Sequence, residues 1–183
     1  MAVSKTGSFW LTEALTGAAA TGGIMTGTLD LGSYVDVGDQ QAVAVEQVDF
    51  IWQVRDTTTG LWDGNLQVAA GTDITFDAQV SDLNPGGAIL RADDNSLVGS
   101  GTLNLDQTNN VTSSSSDFYP DNYGKLDESR MVVNDQLYVT ADIGGTVLAN
   151  KQMVLTCRIK ARIVKLTTKD WIAIAVQSTA SDN

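Results

Sequence analysis

One stretch of the chain, residues 153–163, alternates between apolar side chains and polar ones. The apolar residues Met153, Leu155, Cys157, Ile159, Ala161 and Ile163 alternate with Thr156, Arg158, Lys160 and Arg162. A period of two is the pattern of a β-strand with one face in a core and the other in water. The same pattern recurs at residues 44–54, 72–80 and 137–143, whereas helical periodicity is nearly absent. The sequence therefore predicts an all-β fold of half-buried antiparallel strands.

Turn signals separate these runs, among them Asn84-Pro85-Gly86-Gly87 and Gly144-Gly145. Weaker patterns predict further strands at residues 23–37, 88–92, 97–105 and 171–177, and a short helix at residues 9–15. About eight or nine strands at irregular spacing are the number expected of a jelly roll or a related sandwich. We therefore predict an antiparallel β-sandwich, specifically a single jelly-roll barrel.

The length of 183 residues fits one domain covering residues 1–183. Residues 1–22 are rich in Gly, Ala and Thr and form a candidate N-terminal arm. Two alternatives stay open for such an arm: disorder, or an extended segment that orders against a neighbouring molecule. Residues 107–128 are predicted to form a long loop, and a loop of that length inside a compact domain favours a functional role.

The sequence contains no histidine and one cysteine, Cys157. Because histidine is the usual general base and the commonest zinc ligand, Ser-His-Asp and Cys-His catalysis are excluded. Asp and Asn clusters, such as Asp93-Asp94-Asn95, offer oxygen ligands for Ca²⁺, but no stretch has the spacing of an EF-hand loop. We therefore expect no enzyme activity, no catalytic residue, no cofactor and no specific metal site.

The chain is strongly acidic, with a formal net charge of −11, and 19 of its 22 acidic residues are Asp. This field repels nucleic acid, so direct nucleic-acid binding is not expected. Two interpretations account for the acidity: an ordinary acidic protein, or adaptation to molar salt, in which the Debye length shrinks to about 3 Å and self-repulsion fades. We favour the halophilic interpretation.

The basic residues are concentrated near the end of the chain. Arg158, Lys160 and Arg162 are two residues apart and share one strand face, and Lys165 follows. Such a basic stripe either protects an exposed strand from aggregation or docks an acidic neighbouring subunit. Trp62, in a turn-like Gly-Leu-Trp-Asp-Gly context, is a further candidate interface residue or sugar-binding platform.

Taken together, these features resemble a known family of structural proteins. An Asp-rich chain of this size, with an alternating strand pattern from about residue 42 to residue 177, resembles the smaller major capsid protein of sphaerolipovirus-like viruses. These are icosahedral haloarchaeal viruses with an internal membrane. The resemblance carries no short diagnostic motif. It implies an upright single jelly roll that assembles with a larger paralogous capsid protein and with copies of itself, beside an internal viral membrane.

On this hypothesis the chain is assembled in the host cytoplasm and resides in the virion. The alternative is a carbohydrate-binding, lectin-like β-sandwich that uses Trp62 and nearby Asp residues. A lectin-like module would bind a glycan as a monomer, whereas a capsid subunit would act through repeated lateral contacts.

Overall fold

The computed structural model describes residues 3–17, 23–121 and 129–179, in which strands predominate. Its strands are β1 (Val3–Ser4), β2 (Phe9–Thr16), β3 (Met25–Asp30), β4 (Gln41–Asp56), β5 (Trp62–Asp63), β6 (Ile74–Ser81), β7 (Leu97–Asp106), β8 (Val111–Phe118), β9 (Arg130–Val132), β10 (Gln136–Gly144) and β11 (Lys151–Lys165). A short 3₁₀ helix covers Leu66–Ala69, and helix α1 covers Thr168–Thr179.

The strands form two antiparallel sheets that pack face to face. In the first sheet, the long strands β4 and β11 pair with each other; β11 also pairs with β1 and β2, and the other edge of β4 pairs with β9 and β5. The second sheet has the order β3-β10-β6-β7-β8. The predicted all-β antiparallel sandwich is therefore confirmed.

The strand pairing is nested in the manner of a jelly roll. The outermost strands β2 and β11 pair, then β3 with β10, then β4 with β9, and the innermost β6 with β7. A long hairpin rolled up so that successive pairs alternate between two sheets gives this arrangement. Strand β8 is an addition that extends the second sheet beyond β7. The jelly-roll prediction agrees with this topology.

The core between the sheets is apolar. Residues such as Val45, Leu155 and Ile159 from the first sheet contact Val80 and Val139 from the second, and all of them are buried. Because inward-facing residues recur at every second position, the alternation seen in the sequence is the direct imprint of this core.

A β-bulge reverses the alternation in β4. The register shifts between Lys160 and Ala161 of β11, which face Gln47 and Val45, so Glu46 is the extra residue. The sequence pattern placed Ala44 on the core face with the later residues of β4. That assignment is wrong, because the bulge turns Ala44 to the outer face of the sheet.

Helix α1 covers that part of the outer face. Trp171, Ile174 and Ala175, spaced as one side of a helix, pack on a cluster that includes Ala42 and Ala44. The prediction of a strand at residues 171–177 is therefore wrong. The helix begins after Thr167, whose side chain accepts a hydrogen bond from the backbone N–H of Asp170. The small side chains of Ala42 and Ala44 leave room for the helix on the sheet.

The N-terminal predictions also need correction. The helix predicted at residues 9–15 is wrong, since Phe9–Thr16 forms strand β2 along β11. Within the candidate arm of residues 1–22, β1 and β2 are built into the first sheet, and residues 1–2 and 18–22 lie outside the described part. The pairing partner β11 is about 140 residues away in sequence, beyond the reach of any local pattern.

The predicted long loop at residues 107–128 is wrong for its first half. Residues 111–118 form β8, which pairs with β7 through a tight turn that places Asn110 at a positive φ of 54°. The serine-rich strand has no apolar alternation because nearly all of it is exposed. Residues 122–128 of this predicted loop lie outside the described residues. Of the other predicted strands, residues 88–92 form none, and within residues 23–37 only Met25–Asp30 is a strand.

Candidate interaction surfaces

The predicted basic stripe lies on the outer face of the first sheet. Arg158, Lys160 and Arg162 project from the same face of β11, opposite Asp49, Gln47 and Ala44 of β4, as their spacing predicts. The carboxylate of the bulge residue Glu46 lies 3.5 Å from Lys160 Nζ and 3.4 Å from Arg162 Nε. Two of the three cations therefore share one acidic partner within the same chain.

Glu46 is held in place from a second side. The hydroxyl of Ser8, just before β2, donates a 2.7 Å hydrogen bond to Glu46 Oε2. The bulge presents this side chain to the stripe because the extra residue is free of the regular pairing. The sequence signal for the arrangement was weak: a glutamate in a strand with Ala44 and Val48 two positions away on either side, and with no cation near it in sequence.

The third cation of the stripe lies on an aromatic ring. The guanidinium carbon of Arg158 lies 4.4 Å from the centroid of Trp10, which belongs to β2 and is 43% exposed. A guanidinium over an indole face is attracted by the ring quadrupole, by about 0.5–1 kcal/mol at an exposed site. Trp10 therefore forms part of this outer surface and not of the core.

Lys165 and Trp62 lie at opposite ends of the first sheet. Lys165 is exposed at the end of β11, opposite Gln41 and Val3, whereas Trp62 pairs with Arg55 near the other end of β4. Trp62 is 56% exposed. From Gln41 to Arg55 the strand runs roughly 45 Å at about 3.3 Å per residue. The structure therefore brings Arg158, Lys160 and Arg162 together, but it does not bring Trp62 to them.

Lys151 is a basic residue with a different role. Its Nζ lies 2.8 Å from Asp56 Oδ2 and 2.9 Å from Asp63 Oδ2, and only 13% of its side chain is exposed. The hydrogen bond from Lys151 holds the pKa of Asp56 well below its usual range, and its bonds to the two carboxylates raise the pKa of Lys151. This arrangement fastens the short strand β5 to β4 and β11.

A buried ion pair lies at one end of the sandwich, and no local sequence pattern predicts it. Arg130 of β9 lies 3.5 Å from Asp82 Oδ2, and the two side chains are 8% and 2% exposed. Arg130 also donates a hydrogen bond to the carbonyl of Asn95. Burial raises the pKa of Asp82 to about 6, although the Arg130 charge acts against that rise. The pair ties β9 to the segment that links β6 and β7.

The remaining candidates for chemistry are engaged or buried. Cys157 lies in the core, and burial raises the pKa of its thiol to about 12. In the Asp93-Asp94-Asn95 turn, Asp93 pairs with Arg91 at 3.0 Å, and Asp94 accepts hydrogen bonds from the backbone and hydroxyl of Ser96. Across the described ranges, no group of three or more acidic or cysteine side chains is placed to hold a metal ion.

A groove opens on the side of the sandwich between the edges of β4 and β8. Its volume is about 340 Å³, and it is lined by Phe50, Ile51, Trp52, Leu66, Thr102, Leu103 and Ser114–Ser116. None of the lining side chains is charged. Sequence reasoning missed this groove because its two walls are about 60 residues apart in the chain.

Comparison with known proteins leaves the function open. No protein-family model matches the sequence, and no curated protein matches it. In the portion of the chain that the structure describes, no helix has the length and apolar character needed to cross a membrane.

Proposed function

We propose that this chain is a structural subunit of an icosahedral viral capsid, an upright single jelly roll that assembles with copies of itself and a larger paralogous capsid protein. The observation that carries the proposal is the nested pairing of β2–β11, β3–β10, β4–β9 and β6–β7. Viral capsid subunits, lectins and cupins are the main functional classes built on this topology. The other properties of the chain favour the first of these.

The interior of the sandwich supports a structural role. It is filled by side chains such as Phe76, Leu137 and Leu155, all fully buried, and the sequence has no histidine with which to build a cupin-like metal site. A barrel whose interior is occupied by its own side chains acts through its outer surfaces and its ends.

Those outer surfaces suit contacts with acidic neighbours. Among the described residues, Arg158 and Lys165 have no ion pair, and the half-buried Arg158 side chain lies over the exposed ring of Trp10. Every copy of the chain carries a net charge of −11, so an Arg–Trp pair on one subunit complements the acidic surface of the next. Tryptophan and arginine are the residue types that contribute most at interfaces.

The charge balance predicts how such a shell depends on salt. At molar salt the repulsion between acidic subunits is screened within about 3 Å. Repetition in a closed shell then multiplies contacts that are individually weak. In this proposal the chain is assembled into particles in the host cytoplasm, lies beside the internal viral membrane and makes no direct contact with nucleic acid.

The test of this proposal is the salt dependence of the assembled particle. Particles that contain this chain are purified in molar salt and transferred stepwise to low-salt buffer, and their sedimentation is followed. We expect release of this chain as the salt falls. Restoring molar NaCl or molar KCl, each without magnesium, should reverse the release equally well, because both salts screen the charges in the same way. Particles that stay intact in low-salt buffer would contradict the proposed role of the acidic surface.

A carbohydrate-binding role is the second candidate, and one observation favours it. Trp62 is 56% exposed and its neighbour Leu61 is 69% exposed, so an aromatic face is open to a sugar ring. Asp63 beside it is engaged by Lys151, which leaves that carboxylate less able to bind sugar hydroxyls. A glycan array in molar salt tests this candidate, with a Trp62→Leu variant that should lose any binding at this site.

A further inference from the structure

The edge of strand β4 is open over its central part. On this edge, strand β9 pairs with residues 43–45 and β5 with residues 54–55, and in the described part of the chain no strand pairs with the same edge between them, whereas β11 pairs along the opposite edge. This gap covers residues 46–53, roughly 26 Å at about 3.3 Å per residue. The outer strand of the first sheet is therefore present at both ends and missing in the middle.

The hydrogen-bonding direction of β4 in this gap follows from its two ends. The N–H of Asp56 donates to the carbonyl of Leu61 on the β5 side, whereas the N–H of Thr57 donates to the carbonyl of Asn150 on the β11 side. Because backbone groups point the same way at every second residue, the N–H and C=O of Phe50 and Trp52 point into the gap. They form a row of backbone donors and acceptors at the mouth of the groove.

The opposite wall of the groove has the same character. The N–H of Tyr119 donates to the carbonyl of Val98, which directs the odd-numbered residues of β8 towards β7. The backbone groups of Ser114 and Ser116 therefore point away from β7, to the free edge. The two walls of the groove thus present two strand edges rather than two rows of side chains.

The floor of the groove is apolar and firmly positioned. The ring of Trp52 packs against Phe76 with centroids 5.5 Å apart. A Cβ atom on Gly101 would lie 2.6 Å from Phe50 Cδ2, so the glycine lets the Phe50 ring lie directly against β7. Leu103 and Leu66 complete the floor. Such a floor accepts small apolar side chains from every second residue of an extended segment.

We infer that the groove binds an extended peptide segment of another protein, which adds to the β4 edge as an antiparallel strand between β9 and β5. The gap sets the length of the segment at about six to eight residues. Its inward side chains are small and apolar. Asp49 of β4 and Asp117 of β8 are adjacent in sequence to lining residues of the two walls, so lysine side chains on the segment complement the charge of both walls.

The probe is an acetylated and amidated eight-residue peptide in which threonine and valine alternate between two terminal lysines. Its control is the same peptide with N-methylated valines, which cannot donate those backbone hydrogen bonds. Hydrogen exchange of the full chain in molar salt, followed by NMR, reports the edge that is used. We expect the probe to slow exchange at Phe50 and Trp52 at least tenfold, and the N-methylated peptide to have no effect.

Two matched tryptophan variants locate the site. Trp52→Leu should weaken binding of the probe about tenfold or more because it removes the aromatic floor, whereas Trp62→Leu, outside the groove, should leave binding unchanged. If Trp52→Leu does not fold, the comparison of the two peptides on the unmodified chain still decides the question.

Several results would overturn the inference. These are equal binding of the N-methylated peptide, unchanged exchange at Phe50 and Trp52, or equal weakening by both tryptophan variants. Shifts of the same amides by a neutral oligosaccharide but not by the peptide would identify the groove as a sugar site instead. None of these outcomes bears on the salt dependence of particles, so the capsid proposal is tested separately.

Discussion

The buried carboxyl of Asp82 should make the stability of this protein fall as the pH rises from about 4 to about 6. Its pKa is about 6 in the folded chain, against 3.8 as its ordinary value. Between those values the folded state holds a proton that the unfolded state has lost, so each step up in pH favours unfolding. This difference between the folded and unfolded pKa corresponds to about 3 kcal/mol of unfolding free energy, which is present below pH 4 and lost above pH 6.

Three other carboxyls among the described residues have shifted pKa values and act in a different pH range. The pKa values of Asp56, Asp106 and Asp170 are lowered, mainly by side-chain hydrogen bonds from Lys151, Asn109 and Thr167 respectively, so their contributions are lost as the pH falls below about 4. The range from pH 4 to pH 6 therefore reports chiefly on Asp82. Molar salt screens the general repulsion among the surface carboxylates over the same range.

The assay is guanidinium unfolding of the dilute chain at a series of pH values in molar salt. The unmodified chain should lose about 3 kcal/mol across this range, and Asp82→Asn, which cannot titrate, should lose little. A stability that is constant or rises from pH 4 to pH 6 would refute the reasoning. So would an Asp82→Asn variant that keeps the full decrease.

Three further predictions concern the interior. Arg130→Met at pH 7.5 should lower the unfolding free energy by about 3–5 kcal/mol, because it leaves a buried carboxylate without its partner; thermal unfolding checks this. Gly101→Ala should lower the unfolding free energy by about 1–3 kcal/mol, because its Cβ clashes with Phe50. In the same denaturation assay, Gly64→Ala should change the unfolding free energy by less than about 0.5 kcal/mol, because an added Cβ there meets nothing within 4 Å. Cys157 should react with a thiol reagent only on unfolding, and rapid modification of the native chain would contradict its burial.

The parts of the fold that could be predicted from the sequence are those with one buried face. In strands β4, β6, β10 and β11, apolar and polar side chains alternate because one face of each strand packs in the core and the other faces solvent or a covering segment. That alternation is visible in a single sequence. The jelly roll was predicted from about eight or nine strands at irregular spacing, whereas the described residues form eleven strands. Strand β8 could not be found in this way, because a strand exposed on both faces has no alternation.

The wrong predictions share one physical cause: the structure of each segment depends on contacts with residues that are distant in sequence. A bulge at Glu46 reversed the direction of Ala44, and helix α1 formed where its apolar residues could cover that reversed face. The basic stripe was located correctly, but Glu46 and Trp10, which engage it, come from two other strands. The groove between β4 and β8 exists because β9 and β5 are short, which no local pattern records.

The central claim, that this chain is a capsid subunit, is tested most directly in native material from its source. A density gradient in molar salt separates particles from free proteins, and peptide mass spectrometry measures this chain in each fraction. We expect it to co-sediment with particles at high copy number beside one larger β-rich protein. Recovery of the chain only at the top of the gradient, as a free small protein, would contradict the claim.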